Sequence, residues 1–334
     1  MKKRLIILLS LALSLILSSC SLGRDTDDEN QLVDEKSNPE IIFSFMEGVT
    51  ALSVTKMIND DPKIGEGYKI KYEILNSPDL LSTRLIKREA DIAIVPTTLA
   101  AQSYNKDLGY VICGTSTWGN LYIVGREELT SLDDLKGKTL HTFGRGLTPD
   151  VILKLILLDM GLDMEEDLDL VYLNSAAEVA PLLLSGKTDL ALLPEPVLSS
   201  VLLKNPDLKV LFSLNDLWMD SVGVSYGYPQ SSLVIKEDLI INHPEFVEDF
   251  LKIYQESIDW ALKNPDDLGE LSEVLSLGPA KEGVISGIKR LGIGNFNIED
   301  SVEEYNLYYS KINEFAPEFI GGKVPDERIY YKNK

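Results

Sequence analysis

One stretch of this 334-residue chain occurs twice, 98 residues apart. Residues 41–96 align without a gap on residues 139–194 and share 13 identities. The identities include one glycine in each of the aligned loops, Gly48 and Gly146. A repeat of this length in only two copies predicts two similar lobes rather than a solenoid. Two lobes that each bring a loop to a common cleft are suited to closing on a small molecule.

The N-terminus has the pattern of a targeting signal. The basic start Lys2-Lys3-Arg4 precedes an apolar run over 5–17, and Leu-Ser-Ser-Cys then ends at Cys20. The run is shorter than the roughly 20 residues that span a bilayer, so a permanent transmembrane helix is not expected. Leu-Ser-Ser-Cys resembles the bacterial lipobox, whose cysteine is acylated and becomes the first mature residue. We expect a lipoprotein signal peptide over 1–19 and a lipid anchor at Cys20; the alternative is a secreted protein in which Cys20 is incidental.

A polar, acidic segment over 20–40 separates this signal from the body of the chain. It has too few large apolar side chains to bury, so we expect a disordered tether of about 25 Å on average. The remaining body is long enough for two domains. Only Cys113 is left in it, so the mature chain cannot form an internal disulfide. Its apolar neighbours favour a buried structural thiol over a reactive one.

The formal net charge of −21 excludes two kinds of partner. Nucleic acid requires a basic surface, which this composition does not supply. Adhesion to anionic lipid head groups is equally unfavourable, so we expect the acyl group at Cys20 to make the membrane contact, on the extracytoplasmic face of the cell membrane. The charge of a ligand is not fixed by this balance, because a few local groups determine the field inside a cleft.

Each repeat unit has the pattern strand, glycine loop, helix, strand, helix, strand. In the first unit we predict strands over 41–45, 68–75 and 92–95. One helix between them ends at Asn59 and is capped by Thr50 or Ser53, and the other, over 79–87, is opened by Pro78. In the second unit the strands are 139–143, 168–173 and 190–193, and the helices are 148–160 and 176–184. Strands that alternate with helices predict parallel sheets with right-handed crossovers. We also expect residues 233–235 to return to the first lobe as a strand, and a long amphipathic helix to run from Pro244 to about Lys263.

Two segments of the second unit carry a family resemblance. Residues 131–138 read Ser-Leu-Asp-Asp-Leu-Lys-Gly-Lys, and residues 186–196 read Gly-Lys-Thr-Asp-Leu-Ala-Leu-Leu-Pro-Glu-Pro. With the lipobox and the acidic tether, they resemble the substrate-binding lipoproteins of ABC importers, of the nitrate, sulfonate and thiamine-precursor type. The resemblance covers the whole chain and implies an α/β, two-lobed type II periplasmic-binding-protein fold with a ligand cleft between two Rossmann-like lobes.

The same resemblance implies two hinge crossings, which we place near residues 121–124 and 226–230. The body then divides into a first lobe over 41–124, a second lobe over 125–226 and a return to the first lobe over 227–334. The implied function is capture of a small organic molecule by lobe closure and its delivery to an ABC permease.

Two aligned loops are the first candidates for ligand contact. In such a fold ligands lie where parallel strands end and helices begin, because free N–H groups and the positive helix end point there. The glycines would allow close backbone approach and the threonines would donate hydroxyls. Turn glycines and helix caps are the alternative, but their repetition on opposite lobes favours binding. The expected contacts are Glu47, Gly48, Val49 and Thr50 of the first glycine loop (residues 47–50) and Arg145, Gly146 and Thr148 of the second glycine loop (residues 145–148).

The ends of the third strands supply further candidates. Pro96-Thr97-Thr98 and Pro194-Glu195-Pro196 occupy equivalent positions, and the prolines end each strand. We expect Thr97, Thr98 and Glu195 to face the cleft. The alternative for Glu195 is an exposed turn residue.

Aromatic residues near the crossings complete the expected site. Trp118 offers a stacking face and Asn120 a hydrogen-bonding group, although Trp118 could equally fill the core. Tyr226 and Tyr228 lie at the return crossing and are expected to cover a bound ligand.

The candidate charges leave the ligand's charge open. Arg145 is the one cation of the two glycine loops and suits a carboxylate or sulfonate. Glu47 and Glu195 instead suit an amine, with help from cation–π contacts. A zwitterion or a heteroaromatic amine would satisfy both.

Catalysis has little support in the sequence. His141 and His243 have no cysteine, serine or carboxylate at motif spacing, and no paired-cysteine or His-Glu-x-x-His metal motif occurs. We therefore expect a monomeric binding protein with no metal, no cofactor and no catalytic residue, whose partners are the ligand, the permease and the membrane. A ligand-sensing lipoprotein and an enzyme of the same fold remain the alternatives.

Overall fold

The computed structural model describes residues 40–65, 67–163, 166–294 and 296–332. The predicted signal peptide, the lipid anchor at Cys20 and the tether as far as residue 39 lie outside the described residues. Among the helices of the described ranges, none combines the length and the apolar character that crossing a membrane requires.

Strands and helices alternate along the described chain. The strands are β1 (Glu40–Met46), β2 (Lys69–Leu75), β3 (Ile92–Pro96), β4 (Tyr110–Trp118), β5 (Leu121–Gly125), β6 (Lys138–Phe143), β7 (Leu168–Leu173), β8 (Leu190–Pro194), β9 (Lys209–Ser213) and β10 (Pro229–Lys236). The α-helices are α1 (Val49–Leu52), α2 (Thr55–Asp60), α3 (Pro78–Ile86), α4 (Thr97–Asn105), α5 (Thr148–Asp159), α6 (Ala176–Leu184), α7 (Val197–Lys204), α8 (Leu214–Val222), α9 (Glu237–Asn242), α10 (Pro244–Lys263), α11 (Pro265–Val274), α12 (Lys281–Gly287) and α13 (Val302–Phe315).

The strands form two five-stranded sheets with the same plan. The first sheet has the order β2-β1-β3-β10-β4 and the second sheet the order β7-β6-β8-β5-β9. In each sheet the three strands of one repeat unit run parallel. The fourth strand is antiparallel to both of its neighbours, and it is β10 in the first sheet and β5 in the second. The predicted parallel pairing and the predicted return of the chain as a strand are both confirmed.

The repeat holds at the level of single elements. Helices α3 and α6 begin and end 98 residues apart, and so do strands β3 and β8. Proline at the first turn of α3 starts that helix as predicted. The same local sequence pattern therefore produces the same supersecondary unit twice.

One predicted helix is confirmed only in its second half. The first glycine loop leads into two short helices, α1 and α2, instead of one helix running to Asn59. Neither predicted cap forms, because the hydroxyl of Thr50 donates to the Met46 carbonyl and that of Ser53 to the Thr50 carbonyl. These hydroxyls compete with the backbone ladder instead of satisfying helix N–H groups.

The chain passes between the sheets twice. Strand β4 ends at Trp118 and β5 pairs with β8 from Leu121 onward, so the first crossing consists of Gly119 and Asn120. This is two residues earlier than the predicted hinge at 121–124, because β5 is a strand of the second sheet. The return crossing precedes β10, which pairs from Pro229. The division into lobes that move about these crossings stays a prediction.

Helix α10 illustrates how the core is built. Its inward face buries Phe246, Phe250, Tyr254 and Ile258 almost completely, as expected of an amphipathic helix. Each such side chain contributes about 1.5–3 kcal/mol by leaving water. Cys113 joins the same core, and burial raises the pKa of its thiol, which fits a structural role.

Candidate functional site

Each glycine loop contains a glycine with positive φ after the first strand of its repeat unit. Gly48 follows β1 with φ 102° and Gly146 follows β6 with φ 70°. Only glycine adopts this region without strain. A Cβ atom at either position would meet no other atom within 4 Å. Both loops therefore present open space beside their backbone.

The first glycine loop is held through its backbone. The Glu47 N–H donates to the Leu75 carbonyl at 3.0 Å, and the Gly48 N–H donates to the Leu277 carbonyl at 2.8 Å. Val49 is buried in the core, and the hydroxyl proton of Thr50 is used inside the loop at 2.7 Å. The carboxylate of Glu47 remains exposed and makes no ion pair with the described residues. Of the four predicted contacts, Glu47 keeps a free carboxylate, and Gly48 has open space beside it although its N–H is already bonded to Leu277.

The second glycine loop is organised by a buried carboxylate, Asp150. It accepts hydrogen bonds from the Gly146 N–H at 2.8 Å, from the Tyr172 hydroxyl at 2.7 Å and from Lys154 Nζ at 3.1 Å. The guanidinium of Arg145 lies 4.6 Å from the centre of the Tyr172 ring. Burial and the bond to Asp150 raise the pKa of Tyr172, so its hydroxyl stays protonated and donates. Arg145 is thus positioned by stacking, and no carboxylate of the described residues pairs with it.

Glu195 has a partner that the sequence analysis did not anticipate. Its side chain is fully buried and accepts from Arg290 Nε at 2.6 Å. It also accepts from the Ser199 N–H at 3.0 Å and the Ser199 hydroxyl at 2.9 Å. The alternative of an exposed turn is therefore wrong, because these partners hold the side chain inside the protein. A ligand contact by Glu195 stays a prediction that requires an exchange of partner.

The segment that carries Arg290 connects the two sheets. We call residues 277–290 the C-terminal strap. Its first residue, Leu277, accepts from the Gly48 N–H, while Arg290 binds Glu195 at the end of β8. The Tyr122 hydroxyl of β5 donates to the Arg290 carbonyl at 2.9 Å. One short segment thus reaches the carboxyl-end loops of both sheets, which places these loops on the same side of the molecule.

The two crossings are bonded to each other. The Gly119 N–H donates to the Tyr228 carbonyl at 3.0 Å. The side chain of Asn215 accepts from the Tyr228 N–H and donates to the Tyr226 carbonyl, both at 3.2 Å. Gly227 has φ 104°, and a Cβ there would lie 2.0 Å from Asn215 Oδ1. Asn215 therefore fixes the path of the return crossing.

The predicted aromatic wall lies mostly in the core. Trp118 is buried, donates its indole N–H to the Gly294 carbonyl at 2.9 Å and contacts the Tyr226 ring. Tyr228 is fully buried and contacts Trp218 and Tyr308, so it does not cover a cleft in this structure. Tyr228 lies next to the crossings, where a covering residue was expected. Its ring instead packs with those of Trp218 and Tyr308 inside the protein.

The remaining predicted contacts differ in burial and in the hydrogen bonds they already form. The Thr97 hydroxyl forms a buried hydrogen bond of 2.8 Å with Ser232, and Thr98 is also buried. Asn120 is buried, and its carbonyl accepts from the Glu195 N–H at 3.1 Å. Thr148 is half-buried at the start of α5. Ligand contacts by these residues stay predictions.

Sequence reasoning missed Asp150, Arg290 and Asn215. Asp150 had a signal, since an acidic residue in the first turn of a predicted helix commonly satisfies free N–H groups. Arg290 and Asn215 had none, because their partners are distant in sequence. In the part of the chain that the structure describes, no cluster of three or more His, Cys, Asp or Glu could hold a metal ion.

Comparison with known proteins gives one matching family and many solved structures of similar fold. The model of a family described as NMT1/THI5 like matches residues 70–268. No curated protein matches the chain significantly. A crystal structure of an ABC transporter protein from Parabacteroides distasonis is 26% identical, with a TM-score of 0.75, and the match covers 88% of this chain and 99% of that one.

Two more distant structures share the fold. The periplasmic aliphatic sulphonate binding protein SsuA of Escherichia coli is 15% identical, with a TM-score of 0.65 over 88% of this chain and 94% of that one. The periplasmic nitrate-binding protein NrtA of Synechocystis PCC 6803 is 14% identical, with a TM-score of 0.56 over 77% of this chain and 71% of that one. These matches confirm the predicted two-lobed periplasmic-binding-protein fold. The chain belongs to the NMT1/THI5-like family.

Proposed function

We propose that this protein is the extracytoplasmic solute-binding component of an ABC importer. It captures a small organic molecule, such as a sulfonate or a heteroaromatic amine of the thiamine-precursor kind, and delivers it to a permease. It has no catalytic activity of its own. The observation that carries the proposal is the pair of glycine loops, one following the first strand of each repeat unit, with open space beside the positive-φ glycine of each loop.

The resemblance to solute-binding proteins supports the ligand class. The neighbour from E. coli is described as binding aliphatic sulphonates and the neighbour from Synechocystis as binding nitrate. A solute that contacts both glycine loops would favour the conformation in which they lie closest. The permease would then recognise that conformation, which couples ligand binding to docking.

A paired glycine substitution tests this site. Gly146→Ala puts a methyl group into the open space of the second glycine loop. Gly137→Ala is the matched control, because Gly137 also has positive φ (74°) and open space at Cβ but lies outside both loops. Both changes should cost about 1 kcal/mol of stability through backbone strain.

Only Gly146→Ala should weaken the binding of the small molecule that the wild-type protein captures from a metabolite extract. Binding is measured as the rise in melting temperature, since a ligand at 100 times its Kd adds about 2.7 kcal/mol. Equal ligand-induced shifts in both variants would remove the second glycine loop from the site.

The lipid anchor is a separate part of the proposal. The lipobox resemblance at Cys20 leads us to propose that the mature protein is held at the membrane by an acyl chain. Cys20→Ser should release the protein into the medium or periplasm, as seen by cell fractionation. Cys113→Ser is the control and should leave it at the membrane. Membrane retention of Cys20→Ser would contradict the anchor.

A further inference from the structure

The two glycine loops carry opposite charges at equivalent positions. Glu47 and Arg145 are 98 residues apart and occupy the same place in the repeat, directly before the positive-φ glycines Gly48 and Gly146. The repeat thus has a positive-φ glycine on both sheets, preceded by a carboxylate on one and by a guanidinium on the other.

Both charges are available, while the neighbouring charges are not. Among the described residues no cation pairs with Glu47 and no carboxylate pairs with Arg145. The carboxylate of Glu195 is neutralised by Arg290, and that of Asp150 by Lys154. The uncommitted charge of the two glycine loops is therefore one negative and one positive group.

Arg145 is also ordered through its side chain before any ligand arrives, and Glu47 through its backbone. Stacking on Tyr172, which is anchored by Asp150, limits the rotamers of Arg145 and leaves its N–H fork available for a planar or tetrahedral acid. The backbone of Glu47 is fixed by Leu75. Groups ordered in advance lose less conformational entropy when they bind.

We propose that the ligand is a zwitterion, a small molecule with one ammonium-type group and one carboxylate or sulfonate. Glu47 accepts hydrogen bonds from the cationic group, and Arg145 donates to the acid. This inference rests on the proposed function and narrows its substrate class. A ligand with a single charge would leave either Glu47 or Arg145 without a counter-charge when the lobes close, which is unfavourable in a site that excludes water.

The test uses four defined mixtures and native mass spectrometry of the full-length protein. The mixtures contain amino acids and aminosulfonates, carboxylates and sulfonates without an amine, amines without an acid, and uncharged heterocycles and sugars. We expect a 1:1 adduct only from the zwitterion mixture. A 1:1 adduct from one of the other three mixtures would overturn the zwitterion assignment but support solute binding. No adduct from any mixture or from a cell extract would overturn the proposed function itself.

Charge-removing variants then test the two residues with the captured zwitterion. Glu47→Gln and Arg145→Gln should each weaken its binding about 10- to 100-fold, the usual effect of losing a hydrogen bond between charged groups. Glu128→Gln and Arg328→Gln remove exposed charges elsewhere and should leave the affinity unchanged. Unchanged affinity in either loop variant would overturn its assigned role.

Discussion

Removal of Arg290 is the sharpest test of the buried pair that joins the C-terminal strap to the second sheet. Arg290→Ala leaves the Glu195 carboxylate fully buried, with Ser199 as its remaining donor. Breaking a fully buried ion pair costs about 3–5 kcal/mol, whereas an exposed pair contributes about 0–1 kcal/mol. The Arg290 side chain is 29% exposed, so we expect an intermediate loss of about 2–3 kcal/mol.

For a chain of this size that loss corresponds to a melting temperature lower by roughly 3–5 °C. Urea and thermal unfolding measure it. Arg328→Ala is the matched control, because it breaks an ion pair with Asp326 in which the arginine is 84% exposed; we expect no measurable change in stability. The double variant Arg290→Ala/Glu195→Gln should recover part of the loss, since a neutral amide replaces the uncompensated buried charge. A loss in Arg290→Ala no larger than in Arg328→Ala would refute this reasoning.

Three further predictions follow from the packing around these groups. Gly287→Ala should destabilise the protein by about 1–3 kcal/mol, because the new Cβ would lie 2.5 Å from Ser199 Oγ. Gly283→Ala in the same helix is the control; its Cβ would lie 3.6 Å from the nearest atom, so the change should be neutral or slightly stabilising. Equal melting temperatures of the two variants would contradict the close contact at Gly287. Asp150→Asn should lower the free energy of unfolding by about 1–3 kcal/mol and also weaken ligand binding, which calorimetry measures. A loss of stability with unchanged affinity would show that Asp150 does not position the second glycine loop. The buried Cys113 thiol, whose pKa is raised by burial, should react with a thiol reagent only as the protein unfolds; rapid labelling of the native protein would contradict its burial.

The sequence repeat predicted most of the sheet architecture because it reports local rules. The alternation of short apolar runs with amphipathic segments determined the parallel units, and Pro78 and Pro244 marked the helix starts. The return of the chain as strand β10 was predicted as well, but its antiparallel direction was not. These features depend on residues close together in sequence.

The interior of the candidate site could be predicted only in part, since it depends on distant partners. Arg290 reaches Glu195 across 95 positions, and no local pattern indicates such a pair. Tyr228 and Trp118 were expected to form a ligand wall but are buried inside the protein, because aromatic rings serve both purposes equally well. The loop glycines were predictable because positive φ is a local requirement.

The proposed function depends above all on the binding of one small solute. Native mass spectrometry of the protein from Ser21 onward, purified from a cell extract and then denatured to identify the released molecule, measures this directly. We predict a single organic species at one molecule per chain, carrying both an amine and an acid. A chain that remains without a bound small molecule after incubation with the extract and with millimolar zwitterions, sulfonates and pyrimidines would contradict solute binding.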